Sequence, residues 1–491
     1  MAWPFLLVID DALFYLVIGR NVVAGNGLTF SQVMPTNGFQ PLWQIAVTGI
    51  IWLTDVAGVT SPSAQLRVVV ALSWVLLAIG MLIVDRLLSE LGVQPTGRFV
   101  ALLGILAFLG GPGFTLATEA SLVLVTASAA LVAARRLVAA EAGLPVATTI
   151  ATGVLLGLLV LSRLDTVFLA LTVVVAIVMP GRHRPLPTRL GEAAITGVVA
   201  GAIVMPYLAW NVATYDRIMP IAGAIKVDPS QLTLLPEAVG VTGFALLGVT
   251  STAAWMAFHG RPRSPARSWW LVTFIGASLA SLFYYCFASL AWTGGGWYQV
   301  PLLLAAALAS APAIDRFLAS PRRYVRPVLA SALATFVALI ALVETRFYLT
   351  GLYRVETEAV VRFGDDLRDV VGPNEVVAVN DFPGVLALTG NRPTIAFDGL
   401  TGDFAYQENL RDLGPSCTFA RLGVQYIVAR ADGVPEPGPG DRTRSTVAMG
   451  PRLYEEGWSR LELDTDELVL AAPGAGLQLF RYQPGCQDEH P

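Results

Sequence analysis

The chain has 491 residues, of which 55% are hydrophobic and only 14% are charged. Soluble domains carry about 25% charged residues, so this composition excludes an ordinary soluble protein. Apolar runs recur along the first two thirds of the chain and predict an α-helical protein that crosses a membrane many times.

Charge divides the chain into two regions. Residues 1–344 carry 19 basic and 14 acidic groups, whereas residues 345–491 carry 13 basic and 22 acidic groups. We therefore predict a transmembrane domain over 1–344 and a C-terminal α/β domain over 345–491. The acidic surplus of the second region argues against a nucleic-acid partner.

Two adjacent carboxylates, Asp10 and Asp11, stand near the start of the chain. Met1–Ile9 is too short to span a bilayer, and we interpret it as the end of a truncated first span. A carboxylate inside a bilayer costs about 2.5–3.5 kcal/mol at the centre of a helix, so the pair is a functional-site candidate. The alternative is a helix cap, a position that aspartate favours.

Residues 10–64 are expected to form the first external loop. Ala12–Val23 has the pattern of an interfacial helix that ends at Gly25-Asn26-Gly27. Pro41–Leu53 is short, apolar and rich in tryptophan, and we interpret it as a second helix along the interface. The loop between these helices contains Pro35-Thr36-Asn37-Gly38-Phe39.

The apolar runs that follow predict about ten spans in addition to the truncated first one. They are Val68–Val84, Phe99–Leu116, Leu122–Ala134, Val146–Leu161, Val167–Met179, Ile195–Trp210, Val239–Phe258, Trp269–Leu290, Val300–Ala313 and Val328–Val343.

The loops between the spans differ in charge. Fourteen of the 19 basic groups fall in one set of loops, which the positive-inside rule places in the cytoplasm. The other set carries most of the acids, so we expect the active face and the C-terminal domain outside a plasma (inner) membrane. The acids that we assign to the outer face are Asp10, Asp11, Glu119, Asp165, Asp216 and Asp228.

Two short predicted hairpins, Phe99–Ala134 and Val146–Met179, carry charges at their external tips. Runs of 13 to 16 residues barely cross the hydrocarbon core. We therefore expect Glu119, Arg163 and Asp165 to lie in a cavity at the depth of the acidic pair. Glu119 could instead cap the next helix, and Arg163 and Asp165 could simply neutralise each other.

The region after Arg346 has the pattern of short strands and helices. The predicted strands are Glu375–Asn380, Pro393–Asp398, Gln425–Ala429, Leu461–Leu463, Glu467–Leu470 and Leu477–Tyr482, and the predicted helices are Val360–Val370 and Gln407–Leu413. Cys417 and Cys486 lie in this region. They could pair in an oxidising compartment or remain free thiols.

The residue types suit transfer from a lipid-linked donor at the outer face. A carboxylate can accept the proton of an acceptor hydroxyl, and a phosphate leaving group requires positive charge. Lys226 is the only lysine in the chain and provides a compact charge for that phosphate, with Arg217 or Arg163 as further candidates. Lys226 could instead be a snorkelling interfacial residue.

Several motifs resemble GT-C membrane glycosyltransferases, which include protein O-mannosyltransferases, the lipid A aminoarabinose transferase and actinobacterial arabinofuranosyltransferases. Asp10-Asp11-Ala12-Leu13-Phe14-Tyr15-Leu16 and the loop around Asn37 resemble their first external loop. Further similar segments are Pro206–Asn211, Pro220–Lys226, Trp297-Tyr298, Asn380–Gly384 and Phe397–Leu400.

The resemblance implies inverting transfer of a sugar from a polyprenyl-phosphate donor to a cell-envelope glycan, lipid or protein hydroxyl. It implies that no cofactor is required, or only weak assistance from a divalent cation. The catalytic acid of the family maps onto Asp10 or Asp11, and we favour Asp10 with Asp11 as its partner. The substrate-binding candidates are Lys226, Arg163, Asp165, Glu119, Arg217, Asn37, Trp297 and Tyr298.

Two alternatives from other classes stay open. A transporter or lipid flippase would require acids along a path and broken helices in two related halves, and the sequence shows no such repeat. A non-catalytic scaffold is the other alternative, because the first span is truncated. Trp297 and Tyr298 also fit an interfacial aromatic belt as well as they fit sugar stacking.

Overall fold

The computed structural model describes most of the chain. The described residues are 4–110, 116–139, 145–179, 185–226, 296–318, 352–430, 444–448, 460–464, 467–472, 474–483 and 486. Within them, the first part of the chain is helical and the C-terminal part is a mixed α/β domain, as the sequence predicts.

Two helices precede the long apolar ones. They are α1, Asp10–Val23, and α2, Pro41–Val56, which packs against α1. Most of α1 is buried against neighbouring protein, including Leu13, Leu16 and Ile18. Its polar side chains bond to that protein as well: Tyr15 donates to Glu119, and Asn21 donates to the Thr29 carbonyl. Its predicted place at the membrane interface stays a prediction. The α2 helix exposes apolar side chains, as the interfacial interpretation requires; they are Ile45, Trp52, Leu53 and Val56.

Seven helices follow in the first part of the chain. They are α3 Pro62–Glu90, α4 Pro95–Leu109, α5 Ala120–Ala139, α6 Val146–Ser162, α7 Val167–Val178, α8 Leu186–Tyr215 and the short α9 Ile221–Lys226. A further helix, α10, covers Val300–Leu318.

Three of the described helices are long and apolar enough to cross a membrane, namely α3, α5 over Ala120–Val138, and α8. The span predicted at Leu122–Ala134 lies within α5, which is longer than predicted: it has 20 residues and continues through Arg135 and Arg136. The short spans predicted within α6 and α7 are confirmed as helices of 17 and 12 residues. The predicted spans Val239–Phe258, Trp269–Leu290 and Val328–Val343 lie outside the described residues.

Local chemistry explains where these helices begin. Ser61 caps α3 by accepting from the Ala64 N–H, and Pro62 occupies the first turn, where a missing N–H costs nothing. The α4 helix is capped from a distance, because the Asp315 carboxylate of α10 accepts from the Gln94 and Gly97 N–H groups. Helix ends are thus fixed both by neighbouring residues and by side chains from other helices.

The C-terminal region contains a five-stranded sheet in the order β2-β1-β3-β7-β6. Strand β1 pairs in parallel with β2 and β3, whereas β7 lies antiparallel between β3 and β6. The strands are β1 Val376–Val379, β2 Thr394–Ala396, β3 Val424–Arg430, β4 Arg444–Ala448, β5 Arg460–Asp464, β6 Leu468–Ala472 and β7 Leu477–Arg481. Strands β4 and β5 pair antiparallel in a separate two-stranded sheet.

Three helices accompany the sheet, namely α11 Leu352–Val370, α12 Pro383–Gly390 and α13 Phe404–Arg421. Helix α12 and strand β4 have no counterpart among the sequence predictions. A disulfide joins Cys417 to Cys486, which resolves the two alternatives that the sequence left open.

The C-terminal domain packs directly on the start of the chain. Leu13 and Leu16 of α1 belong to one buried apolar cluster with Phe363 of α11 and Leu386 of α12. Burying apolar surface in this way stabilises contact by about 25 cal/mol per Å². The acidic pair at the start of α1 therefore lies at a junction between the two regions.

Candidate functional site

A cavity of about 390 Å³ opens where α1, the loops around Phe39, Glu119 and Leu164, and the C-terminal domain meet. One part of its wall is polar and consists of Asp11, Tyr15, Gln40, Glu119, Arg163, Asp165 and Tyr298. The other part is apolar and consists mainly of side chains from α6, α7 and α8, namely Val160, Val167, Phe168, Val204 and Leu208. A pocket with one charged end and one apolar side suits an amphipathic ligand.

Asp11 lies in the first turn of α1 and lines the cavity. Tyr15 lies four residues further on and lines it as well, because residues four apart share one helix face. One face of α1 therefore lines the cavity.

Asp10 faces a different neighbour. Its carboxylate accepts hydrogen bonds from the N–H groups of Gly384 (2.9 Å) and Val385 (2.8 Å), at the start of α12. Burial raises the pKa of Asp10 to about 8; the two hydrogen bonds act against this shift, and the charges of Asp11 and Asp381 add to it. The sequence favours Asp10 as the catalytic acid, but it is Asp11 that lines the cavity.

A buried ionic network forms the floor of the polar part. The Arg163 guanidinium donates from Nε to both oxygens of Asp165 at 2.9 Å and from a terminal nitrogen to Glu119. Tyr15 donates its hydroxyl to the other oxygen of Glu119 at 3.0 Å. Burial, followed by the charge of Glu119, raises the pKa of Tyr15 well above its ordinary value, so this phenol stays a donor.

The network confirms that the hairpin tips share a cavity with the start of α1. Arg163 and Glu119 are only 4% and 3% exposed, so each charge requires its partner. The predicted pairing of Arg163 with Asp165 is confirmed at 2.9 Å. The Glu119 carboxylate bonds to Tyr15 and Arg163, and its role in binding substrate stays a prediction. The Arg163 guanidinium lies over the ring of Tyr298, with 4.0 Å between its Cζ atom and the centre of the ring.

The other predicted binding residues differ in their relation to the cavity. Asn37 is fully buried and does not line it; its amide donates to Asn211 at 3.1 Å and accepts from the Ile221 N–H at 2.9 Å. It therefore connects the loop between α1 and α2 to α8 and α9. Arg217 is half-exposed and lies 3.5 Å from Glu408 of the C-terminal domain.

Two predicted residues carry side chains that the structure does not describe. Lys226 is the last residue of α9, and Trp297 lies in the short 3₁₀ turn Gly296–Gln299. Both side chains lie outside the described part of the chain, so their predicted contacts with substrate stay predictions.

Sequence reasoning missed three contributors to the cavity. Tyr15 could have been found from its spacing to Asp11. Gln40 accepts from the Leu164 N–H at 3.1 Å and joins the first loop to the second hairpin. Leu400 enters the wall from the C-terminal domain; it ends the family-like segment Phe397–Leu400, but the sequence did not assign it to the site.

The acids of the cavity do not form a metal centre in the part of the chain that the structure describes. No group of three histidine, cysteine or acidic side chains there is arranged to hold a metal ion. Weak assistance by a divalent cation therefore stays a prediction.

Comparisons with known proteins give matches only among solved structures; no family model and no curated protein matches. The chain is similar to apo ArnT from Cupriavidus metallidurans, with 14% identity and a TM-score of 0.49 over 94% of this chain and 95% of that one. ArnT bound to undecaprenyl phosphate gives 15% identity and a TM-score of 0.49 over 92% and 93%.

The chain is also similar to the Archaeoglobus fulgidus oligosaccharyltransferase tethered with an acceptor peptide. That match has 15% identity and a TM-score of 0.47 over 87% of this chain, which spans 65% of the length of that protein. Because all these TM-scores are below 0.5, the function of this chain has to be inferred from its own residues.

Proposed function

We propose that this protein is a membrane glycosyltransferase that moves a sugar from a polyprenyl-phosphate donor to an envelope hydroxyl, with Asp11 as the base. The observation that carries the proposal is the cavity itself. A carboxylate and an ionic network occupy one end, and apolar side chains of α7 and α8 line the other. A lipid phosphate has the same polarity along its length.

The reaction follows from the groups at the polar end. The Asp11 carboxylate takes the proton of the acceptor hydroxyl as its oxygen bonds to the anomeric carbon. The bond from that carbon to the phosphate oxygen breaks, and the lipid phosphate leaves with the electron pair. This displacement inverts the anomeric centre.

The ionic network is suited to positioning rather than to charge neutralisation of the donor. Arg163 already faces two carboxylates, Glu119 and Asp165, so little of its charge remains for a phosphate. We assign the leaving phosphate to Lys226, at the end of α9, because α9 contributes Ala222 and Gly223 to the cavity wall. We assign contacts with the sugar to Tyr298 and Asp165, because both line the polar part of the cavity.

The external location of this site is part of the proposal. The Cys417–Cys486 disulfide supports it, because disulfides persist outside the cytoplasm. The arginine-rich loops support it independently through the positive-inside rule.

The experiment is transfer by the purified protein in lipid nanodiscs. Undecaprenyl-phosphate-linked pentoses and hexoses are supplied one at a time with envelope glycan, lipid and hydroxyl-peptide acceptors, and released undecaprenyl phosphate is measured. We expect release with one donor and one acceptor class. Movement of the intact donor between leaflets without release would indicate a flippase, and donor binding with neither movement nor release would indicate a scaffold.

A further inference from the structure

Helix α12 of the C-terminal domain lacks a capping side chain of its own. Its N-cap residue is Phe382, whose side chain makes no cap hydrogen bond and whose φ of 55° lies in the left-handed region. A non-glycine residue in that region costs about 1–3 kcal/mol and persists only where its surroundings hold it. Asp10 supplies the missing cap, because its two carboxylate oxygens accept from Gly384 and Val385, respectively.

The contact between the two helices requires a glycine. A Cβ atom at Gly384 would lie 2.7 Å from the Asp10 carbonyl oxygen and 2.9 Å from the Leu13 Cβ. Backbone therefore meets backbone at this point, and the separation of α1 and α12 leaves no room for a side chain at position 384.

An arginine with two acidic partners borders the contact between α1 and α12. Arg430 of β3 lies 2.8 Å from Asp381, just before α12, and 3.4 Å from Glu356 of α11. This pair holds the segment that precedes α12 against the sheet. Asp10 is thus the side chain of α1 that the start of α12 binds, and the rest of the C-terminal domain holds α12 in place.

We propose that Asp10 is a positioning residue, which fixes α1 to the C-terminal domain and thereby fixes where Asp11 stands in the cavity. The two residues are consecutive in the first turn, so a rotation of α1 moves both. The consequence for transfer rests on the proposed function, because it requires Asp11 to be the base. A displacement of about 1 Å at a reacting group can cost about a hundredfold in rate.

Three variants test the coupling. Asp10→Ala removes the cap from one side and Gly384→Ala breaks the contact from the other, whereas the double variant removes the same interaction only once. Gly474→Ala is the matched control in the same domain, because its added Cβ would meet its nearest neighbour, Ala359, at an ordinary 3.5 Å. We expect each single variant to lower kcat by about a hundredfold with KM for the donor unchanged.

The pattern of the rates separates positioning from general damage. The double variant should be no slower than the single variants, since interacting residues give non-additive effects. Asp10→Asn retains one carbonyl acceptor and should recover part of kcat. Independent, additive losses, or a rise in KM with kcat intact, would overturn the proposal.

A distance measurement tests the same contact without activity. Spin labels are attached to cysteines introduced at the exposed positions Asn26 and Asp369. Cys286, the one cysteine of the sequence outside the Cys417–Cys486 disulfide, is replaced by serine so that it takes no label. The labels report the separation of the loop after α1 from α11. We expect Asp10→Ala and Gly384→Ala to broaden or shift the distance distribution, and Gly474→Ala to leave it unchanged. Asp10→Asn replaces Asp10→Ala if the alanine variant does not fold.

The two readouts separate the two proposals. A changed distance with no transfer by any protein, wild type included, would support the positioning contact and contradict the proposed function. An unchanged distance in both variants would overturn the positioning role whatever the transfer rates are.

Discussion

The two adjacent aspartates of α1 lie on different faces of the helix and have different surroundings. Asp11 faces a cavity whose other polar groups include Gln40, Glu119 and Arg163, whereas Asp10 faces the backbone of α12. Consecutive residues of an α-helix point about 100° apart, so one residue of difference is enough to separate the two environments. A pair of identical side chains can therefore contain one group that acts on substrate and one that holds the fold.

The largest effect that we expect comes from Asp11→Asn. The amide keeps the size of the side chain but cannot accept the acceptor proton, so transfer should fall by about 10²- to 10⁴-fold. The rate of undecaprenyl phosphate release in nanodiscs measures this change.

The control for that variant is Asp216→Asn. The Asp216 side chain is 94% exposed, and its residue has a φ of 53°, which asparagine tolerates. We expect wild-type transfer from this protein. If both variants transferred at the wild-type rate, Asp11 would lose its assigned role.

The second prediction concerns the ionic network on the cavity face. Arg163→Met leaves the buried Glu119 without its cation, which should lower the free energy of unfolding by about 3–5 kcal/mol. Adding Glu119→Gln removes the uncompensated charge and should restore part of that loss. Thermal unfolding in detergent measures both, and a double variant less stable than Arg163→Met would contradict the pairing.

The third prediction concerns the place where the C-terminal domain meets the cavity. A Cβ at Gly38 would collide with the Leu400 carbonyl oxygen, so Gly38→Ala should push the Leu400 turn away from the wall. Overpacking of this kind costs about 1–3 kcal/mol. Gly49→Ala is the control, because nothing lies within 4 Å of its Cβ. Equal unfolding temperatures for the two variants would show that the turn does not rest on Gly38.

The last prediction concerns the face of α1 that contacts the C-terminal domain. The pKa of Asp10 is about 8 in the folded protein, against an ordinary 3.8, with Asp11 and Asp381 as the facing acids. Between these pH values the folded state keeps a proton that the unfolded state has lost, so stability falls as pH rises. The unfolding temperature of the wild type should therefore fall, relative to Asp10→Asn, from about pH 4 to about pH 8. A difference that does not change with pH would place the pKa of Asp10 near its ordinary value.

Periodicity and composition predicted the elements whose character is local. The long apolar runs located α3, α4 and α6–α8, and the pattern of short strands after Arg346 located β1, β3 and β7. Helix α12 was missed because its eight residues, Pro383–Gly390, begin without a local cap and are stabilised by α1 and α11.

The composition of the site was more predictable than its geometry. Charges in an apolar chain mark Glu119, Arg163 and Asp165, because burying them is costly unless they are paired. The choice between Asp10 and Asp11 depends on how α1 is rotated against α12, and this rotation is fixed by contacts 374 residues apart in sequence. The contribution of Leu400 to the cavity wall was not predicted for the same reason, because it depends on contacts distant in sequence.

The most direct measurement of the central claim is mass spectrometry of polyprenyl-phosphate lipids and envelope glycans in a strain that lacks the gene. The donor lipid should accumulate and one glycan substituent should disappear. Wild-type and Asp216→Asn proteins should restore both, and Asp11→Asn should restore neither. Full restoration by Asp11→Asn, or an unchanged lipid and glycan profile in the deletion strain, would contradict the account.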